Sequence, residues 1–448
     1  MLKHHVNFDP LIHDFPHRLD MPDSYWASTQ DLPAMCPRLR GTHQTEVAII
    51  GGGYTGLLTA YYLANEFNID CCVLEANRVG FGGSARNAGF VLKGSGRLGY
   101  QKMAKRWDLA TAKGIYREFS DAVSRVEGLI QDHHIRCEPE QKGYLKIAHN
   151  EKAMTQLTQA ARFISEHLGE DAEFIHRDQL TAELMDHKQA YGALRLNDGF
   201  GINPLKLLLG YKKLVQAQKV PLFEDACVLQ WIEERGKHRL ITGTGELTAK
   251  KVITVGNAYT PKRFNHRVDN HFLPILSQIF VTEPLTAEQL TLSGLKTHQV
   301  TMDTRILKYY YRLLPDNRLL FGGRGAINGK DAHKERYLQR LYLAMLQCFP
   351  SLSSINIAYN WTGWIAAAMD DMPHVYEKNG VGYSLGYCGS GVSFSAQAAF
   401  RLAQQIAGES VPDLPLYTQA LPAFPLPRSR RAGQWAYYHY AWLKDKWG

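Results

Sequence analysis

The chain has 448 residues, of which 45% are hydrophobic, 21% charged and 11% aromatic, and its 51 Lys+Arg against 43 Asp+Glu leave a formal net charge of +8. This mixture excludes a disordered or fibrous chain, and at roughly 150 residues per domain it predicts two or three domains with a core large enough to enclose a cofactor. The positive excess is scattered except near Arg428, Arg430 and Arg431, so nucleic acid is not an expected partner.

Residues 1–44 are polar, rich in Pro and His, and read as an extended arm leading into the first strand. No apolar leader and no window approaching eighteen apolar residues is visible. Seven cysteines without a CxxC pair read as a reduced, cytoplasmic protein. Residues 46–50 (EVAII) are a short apolar run, followed by a glycine cluster, the helical pattern LLTAYYLANEF and a second apolar run at 70–74. That is a strand, helix, strand unit of a parallel sheet.

Within IIGGGYTG the spacing G-x-G-x-x-G falls on Gly51, Gly53 and Gly56. Gly51 permits a tight turn off the strand, Gly53 lets a pyrophosphate approach the backbone, and Gly56 lets helix and strand pack closely. The helix start offers free N–H groups and a positive dipole end to the anion. Glu75, nineteen residues after Gly56, is placed to accept from ribose hydroxyls, so a dinucleotide with an unphosphorylated adenosine ribose is expected. This unit alone leaves NAD and FAD both open.

A second glycine-rich loop, RVGFGGSARNAGFV, bears Arg86 and Asn87. Residues 101–135 then turn to long amphipathic helix and 151–167 repeat the pattern, as a helical insertion. His133, His134 and Cys137 have no second ligand pair at a suitable spacing, and no metal site is expected. Alternating segments return at 143–148, 228–241 and 251–255, and a separate strand-rich region spans 278–282 and 308–322, which implies two interleaved domains. The strand period puts Tyr309 and Tyr311 on one face and Tyr310 and Arg312 on the other. One face is expected to look at the cofactor, as an aromatic wall for the substrate, and packing within the sheet is the alternative.

Asp370 and Asp371 read as a turn cap before Pro373, and no catalytic acid or base is assigned. A third glycine-rich loop, residues 386–391, turns directly into a helix whose positive end suits the pyrimidine edge of an isoalloxazine. A structural turn explains either later loop singly, whereas three such loops in one chain favour a flavin stretched between them. Residues 426–448 form a basic, aromatic helix whose rings fall nearly all round. It is expected to fold back onto the body, with contact to a membrane surface as the alternative.

Taken in order, SYW from Ser24, the fingerprint with Glu75, GGSARNAG from Gly82, VITVGNAYT from Val252, KYYYRLLPDNRLLFGGRG from Lys308, WTGWIAAAMDDMP from Trp361 and GYCGSGV from Gly386 resemble a known family. It is the FAD-dependent oxidoreductases of the D-amino-acid oxidase and sarcosine oxidase class, in the branch that contains the γ-glutamylputrescine oxidoreductases. The resemblance implies an α/β (α+β overall) fold, with a Rossmann-like FAD-binding domain from discontinuous segments, 45–100, 198–262 and 370–425. A mixed-sheet substrate domain with inserted helices would comprise 101–197 and 263–369. Gly51, Gly53, Gly56, Glu75 and Ala76 would hold the ADP half, and Gly83, Ser84, Arg86, Asn87 and Ala88 would lie along pyrophosphate and flavin. Val228 would contact the adenine side, Gly256 would close the domain beneath, and Gly389, Gly391 and Val392 would meet the pyrimidine ring. The reaction implied is hydride transfer from a C–H beside an amine nitrogen to the flavin, giving an imine that water hydrolyses.

Departures from the family pattern narrow the substrate. Members with covalent flavin carry His where this chain has Asn87, or Cys near Gly363, so FAD is expected to be non-covalent. The amino-acid oxidases carry a carboxylate-binding Arg where this chain has Ile365, which shifts the expected substrate to an amine whose reacting carbon bears no carboxylate. The oxygen-activating Lys of sarcosine-oxidase relatives matches Leu320, leaving dioxygen and a quinone both open as electron acceptor. The alternatives are an N-methyl or D-amino-acid substrate anchored by Arg312 or Arg324, and a flavin-bearing assembly factor without turnover.

Overall fold

The computed structural model describes residues 8–16, 19–94 and 97–447. Its first eight-stranded sheet has a parallel centre in the order Val381–Leu385, Gly245–Thr254, Gly41–Ile50, Cys71–Leu74 and Leu222–Phe223. His374–Lys378 adds an antiparallel edge, and the hairpin Gln230–Glu234 with Lys237–Ile241 hangs from Gly245–Thr254. Val47, Ala48 and Ile49 are wholly buried because the sheet is covered on both faces, which is why the run is continuously apolar. The helix Tyr54–Asn65 is buried at every residue from 54 to 63, packed between the sheet and the helices Pro204–Ala217 and Gly391–Ala407. Its all-round apolar sequence follows from that position.

The second sheet runs Ile357–Ala367, Leu273–Pro284, Arg318–Arg324, Tyr310–Leu313, Val300–Asp303, Tyr144–Ile147, Gly192–Leu196 and Ala172–His176. It is antiparallel except where Val300–Asp303 meets Tyr144–Ile147. Its back face buries Phe280, Tyr311, Phe321, Leu145 and Ile147 against the helix Glu335–Cys348. Its front face, bearing Ile365, Ser277, Tyr310 and Arg312, turns toward the first sheet.

Several elements differ from the sequence reading. Residues 228–241 are a hairpin, because Arg235 and Gly236 both take positive φ and reverse the strand. The helical stretch 101–135 is two helices, Tyr100–Arg106 and Leu109–Asp132, broken where Asp108 caps the second by accepting from the Thr111 N–H at 2.6 Å. The arm is no free extension: it contains the helix Tyr25–Ser28, and Trp26 is buried with its indole N–H donating to the Asn87 carbonyl at 2.9 Å. Residues 1–7, 17 and 18 of that arm lie outside the described residues.

The C-terminal helix Arg430–Trp447 rests on the body through buried Gln434 and Ala441. Its Trp435, Tyr440 and Trp442 are exposed, and the Trp447 side chain lies outside the described residues. Among the described residues no helix is long and apolar enough to cross a membrane.

Candidate cofactor cleft and active site

The three fingerprint glycines are each required by a close approach. Gly51 has φ +118°, a conformation that L side chains rarely adopt, and a Cβ there would crowd the Val255 carbonyl at 3.2 Å. A Cβ on Gly56 would sit 1.8 Å from the Gly51 carbonyl oxygen, so the helix meets the strand backbone to backbone. Gly53 caps the helix without a side chain, and a Cβ on it would lie 2.9 Å from Ser84 Oγ.

Glu75 directly follows the next strand, Cys71–Leu74, and is half-buried in the cleft wall. Its carboxylate accepts from the Gly52 N–H at 2.7 Å and the Asn77 N–H at 3.0 Å. Burial raises its pKa, against the pull of these two N–H groups.

One continuous cleft is lined by Gly51, Gly53, Glu75, Ala76, Gly83, Ser84, Asn87, Val228, Gly256, Gly389, Gly391, Val392 and Ile365. Gly56 lies behind it as a packing residue. The cleft thus joins the first, second and third glycine-rich loops, as a cofactor extended from a ribose end to a ring end requires. Within its lining, Thr260 Oγ1 is buried with no hydrogen-bond partner in the protein, a hydroxyl left for a bound group. The glycine cradle, the helix start and this orphan hydroxyl fit an FAD.

Arg86 departs from its expected place. Its guanidinium donates to the Phe81 carbonyl at 2.5 Å and to the Thr362 carbonyl at 3.3 Å, stacks 4.4 Å over the Phe81 ring and lines a neighbouring cavity. Burial lowers its pKa. Ala88 likewise stands outside the cleft lining. Asn87 does line it, with its amide donating to the Gly83 and Ser84 carbonyls, so it shapes the loop.

The structure also decides between the two faces of the tyrosine strand. Tyr311 is 1% exposed and stacks on Phe321, and Tyr309 packs on the same ring, so both belong to the back core and not to a substrate wall. Arg312 faces front but is committed: it forms a buried ion pair with Glu140 and donates to the Ile202 carbonyl at 2.7 Å. Burial lowers the Arg312 pKa and raises that of Glu140 to about 7. Arg312 therefore ties the sheet to Glu140 and Ile202, with its guanidinium 5.5 Å from the Trp26 ring, and is not a carboxylate anchor. Leu320 is wholly buried.

Sequence reasoning missed several residues in the lining, Thr55, Tyr387, Tyr259 and Thr260, and Ser384 behind it. Tyr387, Thr55 and Ser384 form a buried hydroxyl chain, with 2.7 Å links on either side of the Tyr387 phenol, whose pKa burial pushes up to about 12. Tyr259 and Thr260 follow Gly256 in VGNAYT, a signal adjacent to a residue already singled out. Among the described residues no three His, Cys, Asp or Glu converge as metal ligands.

Comparison with known proteins agrees with this geometry. The family described as DAO, FAD dependent oxidoreductase, matches residues 46–405. The chain is 30% identical over 389 residues to the gamma-glutamylputrescine oxidoreductase of Escherichia coli K12, covering 86% of this chain and 89% of that protein. It is 24% identical to the sarcosine oxidase subunit beta of Rhizobium meliloti, covering 81% and 84%. Among solved structures, the glycine oxidase of Geobacillus kaustophilus superposes with TM-score 0.69 at 17% identity, covering 84% of this chain and 98% of that one.

Proposed function

The chain belongs to the FAD-dependent oxidoreductases of the DAO family, and from that premise we propose that it oxidises an N-acylated diamine, γ-glutamylputrescine or a close analogue, at the carbon beside the free amine. Ile365 carries this reading. It lines the cofactor cleft on the front face of the second sheet, where an α-amino acid would need a cation for its carboxylate. The likeness to the Escherichia coli enzyme supports the same substrate class.

Bound FAD supplies a two-electron acceptor for the hydride leaving the carbon, and the imine so formed is hydrolysed by water. The chain's own residues do the rest. The helix beginning at Gly391 turns its positive end toward the cleft, which stabilises negative charge developing there. Ile365, Trp364 and Tyr387 wall that end of the cleft and exclude water from it. With Asn87 and Gly363 in place of flavin-linking residues, FAD is held non-covalently.

On this reading segments 45–100, 198–262 and 370–425 hold FAD, and 101–197 with 263–369 form the substrate side. All seven cysteines are free and six are buried, which suits a reducing, cytoplasmic setting. The acceptor that reoxidises the flavin is dioxygen or a quinone.

The test is anaerobic mixing of the FAD-loaded protein with γ-glutamylputrescine, putrescine, sarcosine, glycine and D-alanine. Loss of the oxidised flavin band with γ-glutamylputrescine is the expected result. Bleaching by sarcosine or D-alanine alone would replace this reading with the amino-acid one. Readmitted air then separates oxidase from dehydrogenase by the rate at which colour returns.

A further inference from the structure

The C-terminal helix Arg430–Trp447 contributes nothing to the lining of the cofactor cleft, and it has two distinct faces. Buried Gln434 and Ala441, with half-buried Tyr438 and Asp445, recur at the helical period and form the inner stripe. Ala432, Ala436, Tyr440 and Leu443 fall on the opposite side, flanked by Trp435 and Trp442. Trp435, Tyr440, Trp442 and Leu443 are each half exposed or more. No other helix among the described residues exposes more than one large apolar side chain, so this is a patch and not ordinary surface scatter. Leu426 and Met369, both more than half exposed, extend it at the mouth of the cavity beneath the helix.

The exposed charge of this segment has one sign. Asp445 is the only acid in residues 426–448, and it turns inward to accept from the Ile306 and Leu307 N–H groups. Arg430 and Arg431 also point to the body, donating to the Phe272 and Pro274 carbonyls at 2.6 and 2.9 Å. Asp371, in the wall of the same cavity, pairs with Arg97, which donates to the Tyr437 hydroxyl at 2.8 Å. Arg428 before the helix and Lys444 near its end stay exposed. Exposed Trp and Tyr beside basic residues are the composition that seats a helix in the headgroup layer of a bilayer, rings toward the acyl chains and polar tips in water. A second copy fits this face poorly. A two-fold contact would set Lys444 against itself with the helices parallel, and against the Arg428 end with them antiparallel. Anionic headgroups satisfy both cations at once.

We propose that the outer face of this helix is a docking surface for an anionic lipid bilayer. The helix lies flat on it, with Trp435, Tyr440, Trp442 and Leu443 in the headgroup layer and Arg428 and Lys444 on lipid phosphates. The inner stripe keeps the helix on the body, so docking needs no detachment. The inference goes beyond the amine reading and stands independently of it.

The experiment is co-sedimentation of the FAD-loaded full chain with vesicles of phosphatidylcholine alone and of phosphatidylcholine with about one-third phosphatidylglycerol. Wild type is expected to bind the anionic vesicles at least about tenfold more tightly, and added salt to weaken that binding. Trp435→Ala with Trp442→Ala is expected to lose about tenfold on the anionic vesicles, and Arg428→Glu with Lys444→Glu to remove the difference between the two compositions. All four side chains are exposed, so flavin content and Tm should match wild type, which separates lost docking from lost folding. Failure of wild type to bind anionic vesicles, or unaltered binding by either double variant, overturns the proposal. Dimerisation of wild type in sedimentation velocity that disappears in the tryptophan variant, without vesicle binding, would assign the face to a second copy instead.

Discussion

At the residue scale the cofactor cleft depends most sharply on Gly56. Its missing Cβ would fall 1.8 Å from the Gly51 carbonyl, and both neighbours are backbone, so neither can rotate aside. Gly56→Ala is expected to cost about 1–3 kcal/mol by overpacking and to shed FAD, seen as a lower flavin-to-protein absorbance ratio and a lower Tm. A variant with wild-type flavin content and Tm would refute the close packing of strand and helix. The glycines and Glu75 were legible in the sequence because their spacing encodes a local strand, turn and helix. Arg86 was not, since its direction is set by carbonyls and rings brought from Phe81 and Thr362, one of them 276 residues away.

At the scale of the element, the tyrosine strand shows how far periodicity reaches. Alternation separated Tyr309 and Tyr311 from Tyr310 and Arg312, and packing then chose which pair is core. The same back core holds His187, 2% exposed, its ring 5.7 Å from Tyr311 and 5.3 Å from Phe349, with both nitrogens lacking partners. Burial lowers its pKa to about 3, and that of His149 to about 4. Unfolding returns each to about 6.5, so below that pH the unfolded chain binds protons that the folded chain does not. The stability from neutral His187 is therefore complete above pH ~6.5 and falls by about 1.4 kcal/mol per pH unit below it, down toward its folded pKa. Denaturant midpoints at pH 7.5 and 5 should show this decline, with a shallower one in His187→Phe. Equal slopes in the two proteins would contradict a neutral, buried imidazole.

At the scale of the whole molecule, the two chain ends clasp each other across the second sheet. Arg431 of the C-terminal helix pairs with wholly buried Asp9 of the arm at 2.7 Å, while Asp445 accepts from the Ile306 and Leu307 N–H groups at 2.8 and 3.0 Å. Arg431→Met leaves the Asp9 carboxylate short of its cation. With Arg431 partly exposed, the cost is expected at about 1–3 kcal/mol, and Tm should fall by several degrees. Asp9→Asn in the Arg431→Met background should recover part of the loss, and failure to recover any would mean that the pair is not coupled. This clasp also explains the aromatic tail: its inner face packs on the body, and Trp435 and Trp442 stay outside.

Taken by itself, the sequence determined what is local: the first strand, the glycine turn, the helix behind it, the carboxylate after the next strand, and through the ordered motifs the family and its cofactor. Those features lie within a few turns of backbone, where residue type and spacing suffice. Only the tertiary structure decided which face of the second sheet meets the cleft, that Arg312 is committed to Glu140, and that Arg86 turns away. Each of these is set by strand register and burial between segments far apart in the chain, and pairwise packing of that kind leaves no periodic trace in a single sequence.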